Sequence, residues 1–244
     1  MHQRIGIGPD NKYTCVGFDL DNTLLYSENL NKWATRKTTA DWGFKYSRME
    51  KQDLVGLTNK ALFYGILRRQ DSYKRLTPER QTQIVNGMIG MKRQFFNDRI
   101  DLATPVAGAV EIVMALHQLS IPLAIATVAG KRSLGISLKR LGLSEEMFNI
   151  LIPSDALPAG YLPKPDPRHW AYTAGLLCQD LSKVLVVEDS LKGIASARGA
   201  GLDTVALSTT ASREELIGAG VLEVFKDHFE LAKWLGVEIE KGEE

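Results

Sequence analysis

Residues 13–28 read YTCVGFDLDNTLLYSE and contain the first strand that the sequence predicts. The run from Tyr13 to Phe18 is apolar, with β-branched and aromatic members, which is typical of a strand buried on both faces of a parallel sheet. Asp19 and Asp21 follow where this run ends. In extended backbone their carboxylates point to the same side, about 7 Å apart at Cα. A divalent cation between them would relieve their repulsion, and oxygen ligands favour Mg²⁺.

An Asp-x-Asp pair in a loop is often only a solvated turn, and that interpretation stays open for an isolated pair. Position favours a site here, because ligands of open parallel sheets bind outside the carboxyl ends of the strands. The apolar run IPLAIATV at residues 121–128 predicts a second strand, and Thr127 falls at its end. A hydroxyl there, followed by the free N–H groups of a turn, suits a phosphate oxygen.

Two further strands also lead to charged side chains. The strand predicted at residues 150–153 leads to Lys164, which lies between two prolines that restrict the backbone and place the ammonium group. A lysine held in this way can neutralise a phosphoryl group and a carboxylate. The run KVLVV at residues 183–187 ends at Glu188 and Asp189. Because buried charge is costly, these acids are expected to be the remaining ligands of a divalent ion.

The composition limits the possible classes of protein. The chain has 244 residues, of which 44% are hydrophobic and 24% charged, so it can bury a core. A net charge of +1 gives no overall attraction to nucleic acid or to membranes, and no apolar run approaches the roughly 18 residues of a membrane span. Cys15 and Cys178 form no disulfide framework and are expected to be buried free thiols. A soluble protein of a reducing compartment, the cytoplasm, is therefore expected. As a separate expectation, the protein is a monomer.

Strand-like runs are missing between the first and second predicted strands. Residues 26–104 instead predict helices over 28–42, 51–69 and 77–96. We therefore expect a helical domain at 26–104, inserted into an α/β core formed by residues 1–25 and 105–244. The insertion holds 15 Lys and Arg against 8 Asp and Glu, which would attract anionic substrates. Solvated basic helix ends are an equally good interpretation of this charge.

The motifs in combination resemble those of the haloacid dehalogenase superfamily of phosphotransferases. The resemblance covers residues 13–25 and 105 to about 235, and it includes FDLDNTL, KPDP and EDSLKGIASARGAG. It implies a Rossmann-like parallel sheet flanked by helices, an all-helical cap inserted after the first motif, and a small phosphorylated metabolite such as a sugar phosphate as substrate. The resemblance also implies that Mg²⁺ is the cofactor.

The same resemblance implies roles for individual residues. Asp19 would attack phosphorus to give an aspartyl-phosphate, and Asp21 would protonate the leaving alkoxide and then activate water. The carboxylates of Asp19 and Asp189 and the backbone carbonyl of Asp21 would hold Mg²⁺, with Glu188 acting through water. Thr127 and Lys164 would hold the transferring oxygens.

Departures from the family pattern bear on specificity. Related β-phosphoglucomutases carry a His and an Arg where this chain has Asn31 and Asn59, which favours hydrolysis over a mutase reaction. Asp21 argues against dehalogenation, since dehalogenases of the superfamily lack this acid. The cap residues predicted to contact substrate are Asn31, Lys51, Asn59 and Lys60. A phosphosugar mutase and a phospho-acceptor signalling domain stay open as alternatives to the phosphatase.

Overall fold

A computed structural model describes residues 6–46 and 58–241 of the chain. The chain forms two compact units. The first combines the segment up to Tyr26 with the segment from Thr104 onward, and the second runs from Ser27 to Ala103. We call them the sheet unit and the helical unit.

In the described part of the chain, the sheet unit contains six parallel strands in the order β5-β4-β1-β6-β7-β8. The predicted parallel α/β core is confirmed, and β1 is a central strand. Its residues are fully buried, as are those of β4 and β6, in agreement with their apolar sequences. The strands are β1 (Cys15–Phe18), β4 (Leu123–Thr127), β5 (Ile150–Pro153), β6 (Val184–Glu188), β7 (Asp203–Leu207) and β8 (Val224–Phe225), and a separate antiparallel pair consists of β2 (Leu25–Tyr26) and β3 (Thr104–Pro105).

The two faces of β1 pack against different helices. Gly17 faces the indole of Trp170, so close that a Cβ atom at position 17 would lie 2.6 Å from the ring. Phe18 points to the opposite face, where its ring centroid lies 6.0 Å from that of His228. Both cysteines are buried free thiols, as expected. The helices of this unit are α5 (Ala109–Gln118), α6 (Lys131–Leu141), α7 (Pro167–Leu177), α8 (Leu191–Gly199), α9 (Arg213–Gly218) and α10 (His228–Leu235).

The helical unit has its own apolar core, which includes Phe63, Ile66 and Met88. The hydroxyl of Thr77 accepts a hydrogen bond from the backbone N–H of Arg80, so the start predicted for the third helix is confirmed. Of the second predicted helix, residues 51–57 lie outside the described residues. The helices are α1 (Glu28–Asp41), α2 (Asn59–Leu67), α3 (Asp71–Lys74) and α4 (Pro78–Asp98). Among all helices described in both units, none combines the length and apolarity needed to cross a membrane.

Candidate active site

The segment after β1 turns sharply at the carboxyl edge of the sheet. The backbone N–H of Asp19 donates to the carbonyl of Val187 at 3.0 Å, which extends the pairing of β1 with β6 by one residue. Asn22 adopts a left-handed conformation with φ of 60°, and the N–H groups of Leu24 and Leu25 both donate to the carbonyl of Leu20. This turn leaves the Asp19 side chain buried beside the end of β6.

Lys164 reaches into the same place from the loop that follows β5. Its Nζ lies 2.6 Å from Asp19 Oδ1, 2.6 Å from Glu188 Oε1 and 2.7 Å from the carbonyl oxygen of Ala126. The side chain is almost fully buried, so these contacts satisfy its three donors. One ammonium group therefore links β1, β4 and β6 at the carboxyl edge.

His169 holds the backbone at Lys164. The N–H of Lys164 donates to His169 Nδ1 at 3.3 Å, and His169 Nε2 lies 3.2 Å from the carbonyl of Ile152. Because the carbonyl of Ile152 can only accept, Nε2 must carry the proton. His169 is therefore a neutral imidazole that is protonated at Nε2. Burial lowers the pKa of His169 to about 4. His169 is thus a buried neutral contact that helps to fix the loop carrying Lys164.

Glu188 is enclosed by protein groups. Its Oε1 accepts from Lys164 and from the indole N–H of Trp170 at 2.9 Å, and its Oε2 accepts from Ser190 Oγ at 3.4 Å. A Cβ atom at Gly193 would lie 1.8 Å from Oε2, so the carboxylate packs directly on the first turn of α8. Glycine at position 193 makes room for this carboxylate.

Asp189 is held from two sides by hydroxyl groups. Thr23 Oγ1 donates to Oδ1 at 3.4 Å, and Thr210 Oγ1 donates to Oδ2. Asp189 also belongs to a buried cluster with Asp19 and Glu188, in which one carboxylate oxygen of each lies within 4.8 Å of the others. Three buried carboxylates around one ammonium group leave an excess of negative charge, which a hard divalent cation with oxygen ligands fits. The donor set thus suits Mg²⁺.

The pKa values of the clustered side chains also favour a bound cation. Burial raises the pKa of Asp19 well above its usual range; Lys164 lowers it in part, and neighbouring carboxylates, Glu188 foremost, raise it again. Burial, followed by the charge of Glu188, raises the pKa of Asp189 to about 7. Burial alone would lower the pKa of Lys164, but Asp19 and Glu188 raise it, so the ammonium group stays charged. A cation bound beside Asp19 and Asp189 would lower these raised pKa values and stabilise the charged carboxylates.

Two predicted residues lie beside this cluster. Thr127 is fully buried at the end of β4, where its hydroxyl accepts from the backbone N–H of Ala129 at 3.1 Å, and its own proton stays available for a phosphate oxygen. Asp21 is partly buried and close enough to raise the pKa of both Asp19 and Asp189 by its charge. The structure therefore brings Asp19, Asp21, Lys164, Glu188 and Asp189 together.

The residues predicted for substrate contact in the helical unit have varied surroundings. Asn31 donates to Ser27 Oγ at 3.4 Å within α1, and Asn59 Oδ1 accepts from the buried ammonium group of Lys92 at 2.6 Å. Lys60 is exposed, and Lys51 lies outside the described residues. Asn31 and Asn59 thus both form hydrogen bonds within the helical unit. Their contact with substrate stays a prediction.

Three residues at the site were missed by sequence reasoning. Trp170 has no local signal, since its hydrogen bond reaches a residue 18 positions away. Thr209 and Thr210 follow β7, and a search for polar groups after that strand would have found them. The strand was itself missed because polar Asp203 and Thr204 begin it.

A cavity of about 690 Å³ lies elsewhere in the sheet unit. It is lined by residues next to the amino ends of β1 and β6 and at the end of α7, which include Thr14, Cys178 and Lys183. None of the clustered carboxylates lines it, so the candidate site and this cavity are at different edges of the sheet.

Comparisons with known proteins agree with this geometry. The sequence profile described as haloacid dehalogenase-like hydrolase matches residues 16–207. The chain is 28% identical over 215 residues to the protein SUPPRESSOR OF QUENCHING 1, chloroplastic, of Arabidopsis thaliana, covering 86% of this chain but only 19% of that protein. It is 28% identical to the phosphoglycolate phosphatase of Rhodospirillum rubrum, covering 91% of this chain and 90% of that enzyme.

The fold has close structural counterparts. The structure of CbbY from Rhodobacter sphaeroides in complex with phosphate superposes with a TM-score of 0.78 at 23% identity, over 92% of this chain and 99% of that one. Since the family profile spans most of the sequence and includes the strands that carry the acidic cluster, the family predicted from the motifs is confirmed. This chain belongs to the haloacid dehalogenase-like hydrolases.

Proposed function

We propose that this protein is a Mg²⁺-dependent phosphatase that hydrolyses a small phosphorylated metabolite through an aspartyl-phosphate. The observation that carries the proposal is the buried cluster at the carboxyl edge, in which Lys164 bridges Asp19 and Glu188 beside Asp189. Family membership and a relative named as a phosphatase support the reaction class.

The chain's own residues account for both halves of the reaction. In the first half, an oxygen of Asp19 forms a bond to phosphorus while the ester P–O bond breaks, and Asp21 gives its proton to the leaving alkoxide. In the second half, water attacks phosphorus while Asp21 takes up a proton. The bond between phosphorus and Asp19 then breaks, which regenerates the carboxylate and releases phosphate. Each proton that Asp21 gives is returned by the attacking water.

Lys164 and Thr127 would stabilise the phosphoryl group during both steps. The ammonium group lies 2.6 Å from Asp19, so it is next to any phosphoryl group attached there. Such a charge is most effective in a buried site, because it needs no reorganisation when charge develops. The hydroxyl proton of Thr127 would bind one of the non-bridging oxygens.

Asp19, Asp189 and the backbone carbonyl of Asp21 would hold the metal ion. Glu188 is already bound by Lys164, Trp170 and Ser190, which agrees with an indirect role through water. When bound, Mg²⁺ would supply charge that shields the phosphoryl oxygens from the anionic nucleophile.

The substrate is proposed from charge and from similarity. The excess of basic residues at 26–104 favours an anionic compound. Relatives that match over most of their length include a phosphatase for phosphorylated carbohydrates in Thermotoga maritima, which makes sugar phosphates the first class to test. We propose that Lys60 and Asn59 of the helical unit take part in this selection.

The nucleophile is tested with Asp19→Asn. We expect the turnover of an aryl phosphate to fall by at least about a thousandfold, because an amide is not a nucleophile, while the circular dichroism spectrum stays unchanged. Asp180→Asn, at the other edge of the sheet, serves as the control and should keep full activity. An Asp19→Asn variant with most of its activity would refute the assignment.

Product analysis separates the alternatives. With sugar phosphates, the phosphatase releases inorganic phosphate over many turnovers. A mutase would instead form an isomer in the presence of a bisphosphate, and a phospho-acceptor domain would stop after one phosphorylation.

Metal removal tests the cofactor. We expect EDTA to abolish hydrolysis and added Mg²⁺ to restore it, because the carboxylate cluster needs a cation. Hydrolysis that continues undiminished in the chelator would contradict the metal site.

A further inference from the structure

The loop at residues 208–212 lies at the same edge of the sheet as the acidic cluster. It follows β7, which pairs with β6 so that Ala206 is opposite Glu188. Thr209 Oγ1 donates to the backbone carbonyl of Asn22 at 2.7 Å, and Thr210 Oγ1 donates to Asp189 Oδ2. Two successive hydroxyl groups thus contact two separate parts of the site.

The contact made by Thr209 acts on the turn after β1. Asn22 has a left-handed backbone, which asparagine adopts more readily than most other non-glycine residues, and Thr209 binds its carbonyl oxygen. A hydrogen bond to its carbonyl oxygen fixes the peptide unit next to Asp21, whose own carbonyl is a proposed metal ligand. Thr209 therefore restrains the peptide unit that directly follows the carbonyl of Asp21.

The contact made by Thr210 acts on a carboxylate. Asp189 accepts from Thr23 at Oδ1 and from Thr210 at Oδ2, so both oxygens are held. Each carboxylate oxygen has about two acceptor sites, which leaves room for a cation on either oxygen. The rotation of the carboxylate is set by these hydroxyl groups.

We propose that Thr209 and Thr210 are positioning residues, which fix the turn at Asn22 and the carboxylate of Asp189 so that the metal ligands are arranged before Mg²⁺ binds. This inference rests on the metal site of the proposed function. Groups that orient ligands in this way typically contribute about 10- to 100-fold to metal affinity. Thr210 is exposed, so substitutions there leave the core intact.

Isothermal titration calorimetry with Mg²⁺, in the absence of substrate, tests the role of Thr210 by measuring the dissociation constant for the metal ion. Thr210→Val keeps the shape and removes the donor, and we expect its dissociation constant for Mg²⁺ to rise roughly tenfold. Thr210→Ser, which keeps the hydroxyl, should return the constant to within about twofold of the original. The control is Ser208→Ala in the same loop, because Ser208 Oγ bonds to the carbonyl of Phe225, away from the cluster.

The results of these titrations distinguish a failure of the positioning role from a failure of the proposed metal site. An unchanged Mg²⁺ affinity in Thr210→Val, with Mg²⁺ binding intact in the original protein, overturns the inference alone. An original protein that binds no Mg²⁺ overturns the metal site and the inference with it. Equal melting temperatures of the metal-free variants would show that an altered affinity is not a consequence of altered folding.

Thr209→Val tests the second contact through steady-state kinetics. We expect kcat to fall roughly tenfold with a smaller change in KM, because a shifted turn displaces reacting groups more than it weakens substrate binding. A change in KM alone, or no change in either constant, would overturn the role of Thr209.

Discussion

At the scale of single residues, the charged centre depends on an aromatic neighbour. Trp170 donates its indole N–H to Glu188, and its ring centroid lies 4.7 Å from the ammonium group of Lys164. The ring also fills the space that Gly17 leaves open on β1. One side chain thus supports a buried ion pair and packs the sheet against α7.

Replacing Trp170 by Phe separates these contributions. The ring is largely kept, but Glu188 loses a donor in a fully buried position, so we expect the free energy of unfolding to fall by about 2 kcal/mol. Urea denaturation measures this loss. Trp33→Phe, at a half-buried indole of the helical unit, should cost less than about 1 kcal/mol. Equal losses at both positions would contradict a specific role for the Trp170 N–H.

At the scale of elements, the start of α10 supports the turn after β1. Asp227 caps this helix, with its Oδ1 accepting from the N–H groups of Phe229 and Glu230 at 3.0 Å each. His228, the first residue of the helix, places Nε2 at 2.7 Å from the carbonyl of Thr23. The position of α10 and the conformation of the turn are therefore connected.

Removing the Asp227 cap should destabilise the start of α10. We expect Asp227→Ala to lower the free energy of unfolding by about 1 kcal/mol, because two helical N–H groups lose their acceptor. Asp227→Asn keeps an acceptor and should stay within a few tenths of a kcal/mol of the original protein. Thermal unfolding measures both variants, and equal melting temperatures for the two would rule out the capping role.

The elements also show how far the sequence predicts the structure. The sequence predicts β1, β4, β5 and β6 because each is apolar up to its last residue, which is the pattern of a central parallel strand. Because ligands of open parallel sheets bind outside the carboxyl ends of the strands, Asp19, Lys164 and Asp189 are expected at one edge. The apolar pattern does not reveal β7, which begins with the polar residues Asp203 and Thr204, or β8, which has only two residues. Contacts such as Trp170 with Glu188 depend on packing between distant segments, which no local pattern encodes.

At the scale of the whole molecule, two buried histidines make stability depend on pH. Burial lowers the pKa of His169 and His228 to about 4 from the ordinary 6.5. Below pH 6.5 the unfolded chain takes up protons that the folded protein does not, so stability is full above that pH and is lost as the pH falls toward 4. Each histidine accounts for about 3 kcal/mol at the lower limit. Asp19 and Asp189, whose pKa values are raised, act in the opposite sense.

A variant isolates the contribution of one histidine. We compare the free energy of unfolding of the original protein with that of His228→Gln, in urea at several pH values between 7.5 and 4. The Gln side chain does not titrate, so the stability of the original protein relative to the variant should fall by about 3 kcal/mol over this range. The carboxylates cancel in this comparison. A difference that is constant with pH would show that His228 is not held neutral in the fold.

The order of the strands has a consequence for biosynthesis. β1 is made before β4 and β6 but lies between them in the sheet, and the partners of Asp19 come from residues 164 and 188. A nascent chain on the ribosome therefore carries Asp19 long before Lys164 and Glu188 emerge. The acidic centre is completed only when translation has passed β6, so a truncated product that ends before Lys164 would contain Asp19 without the groups that surround it.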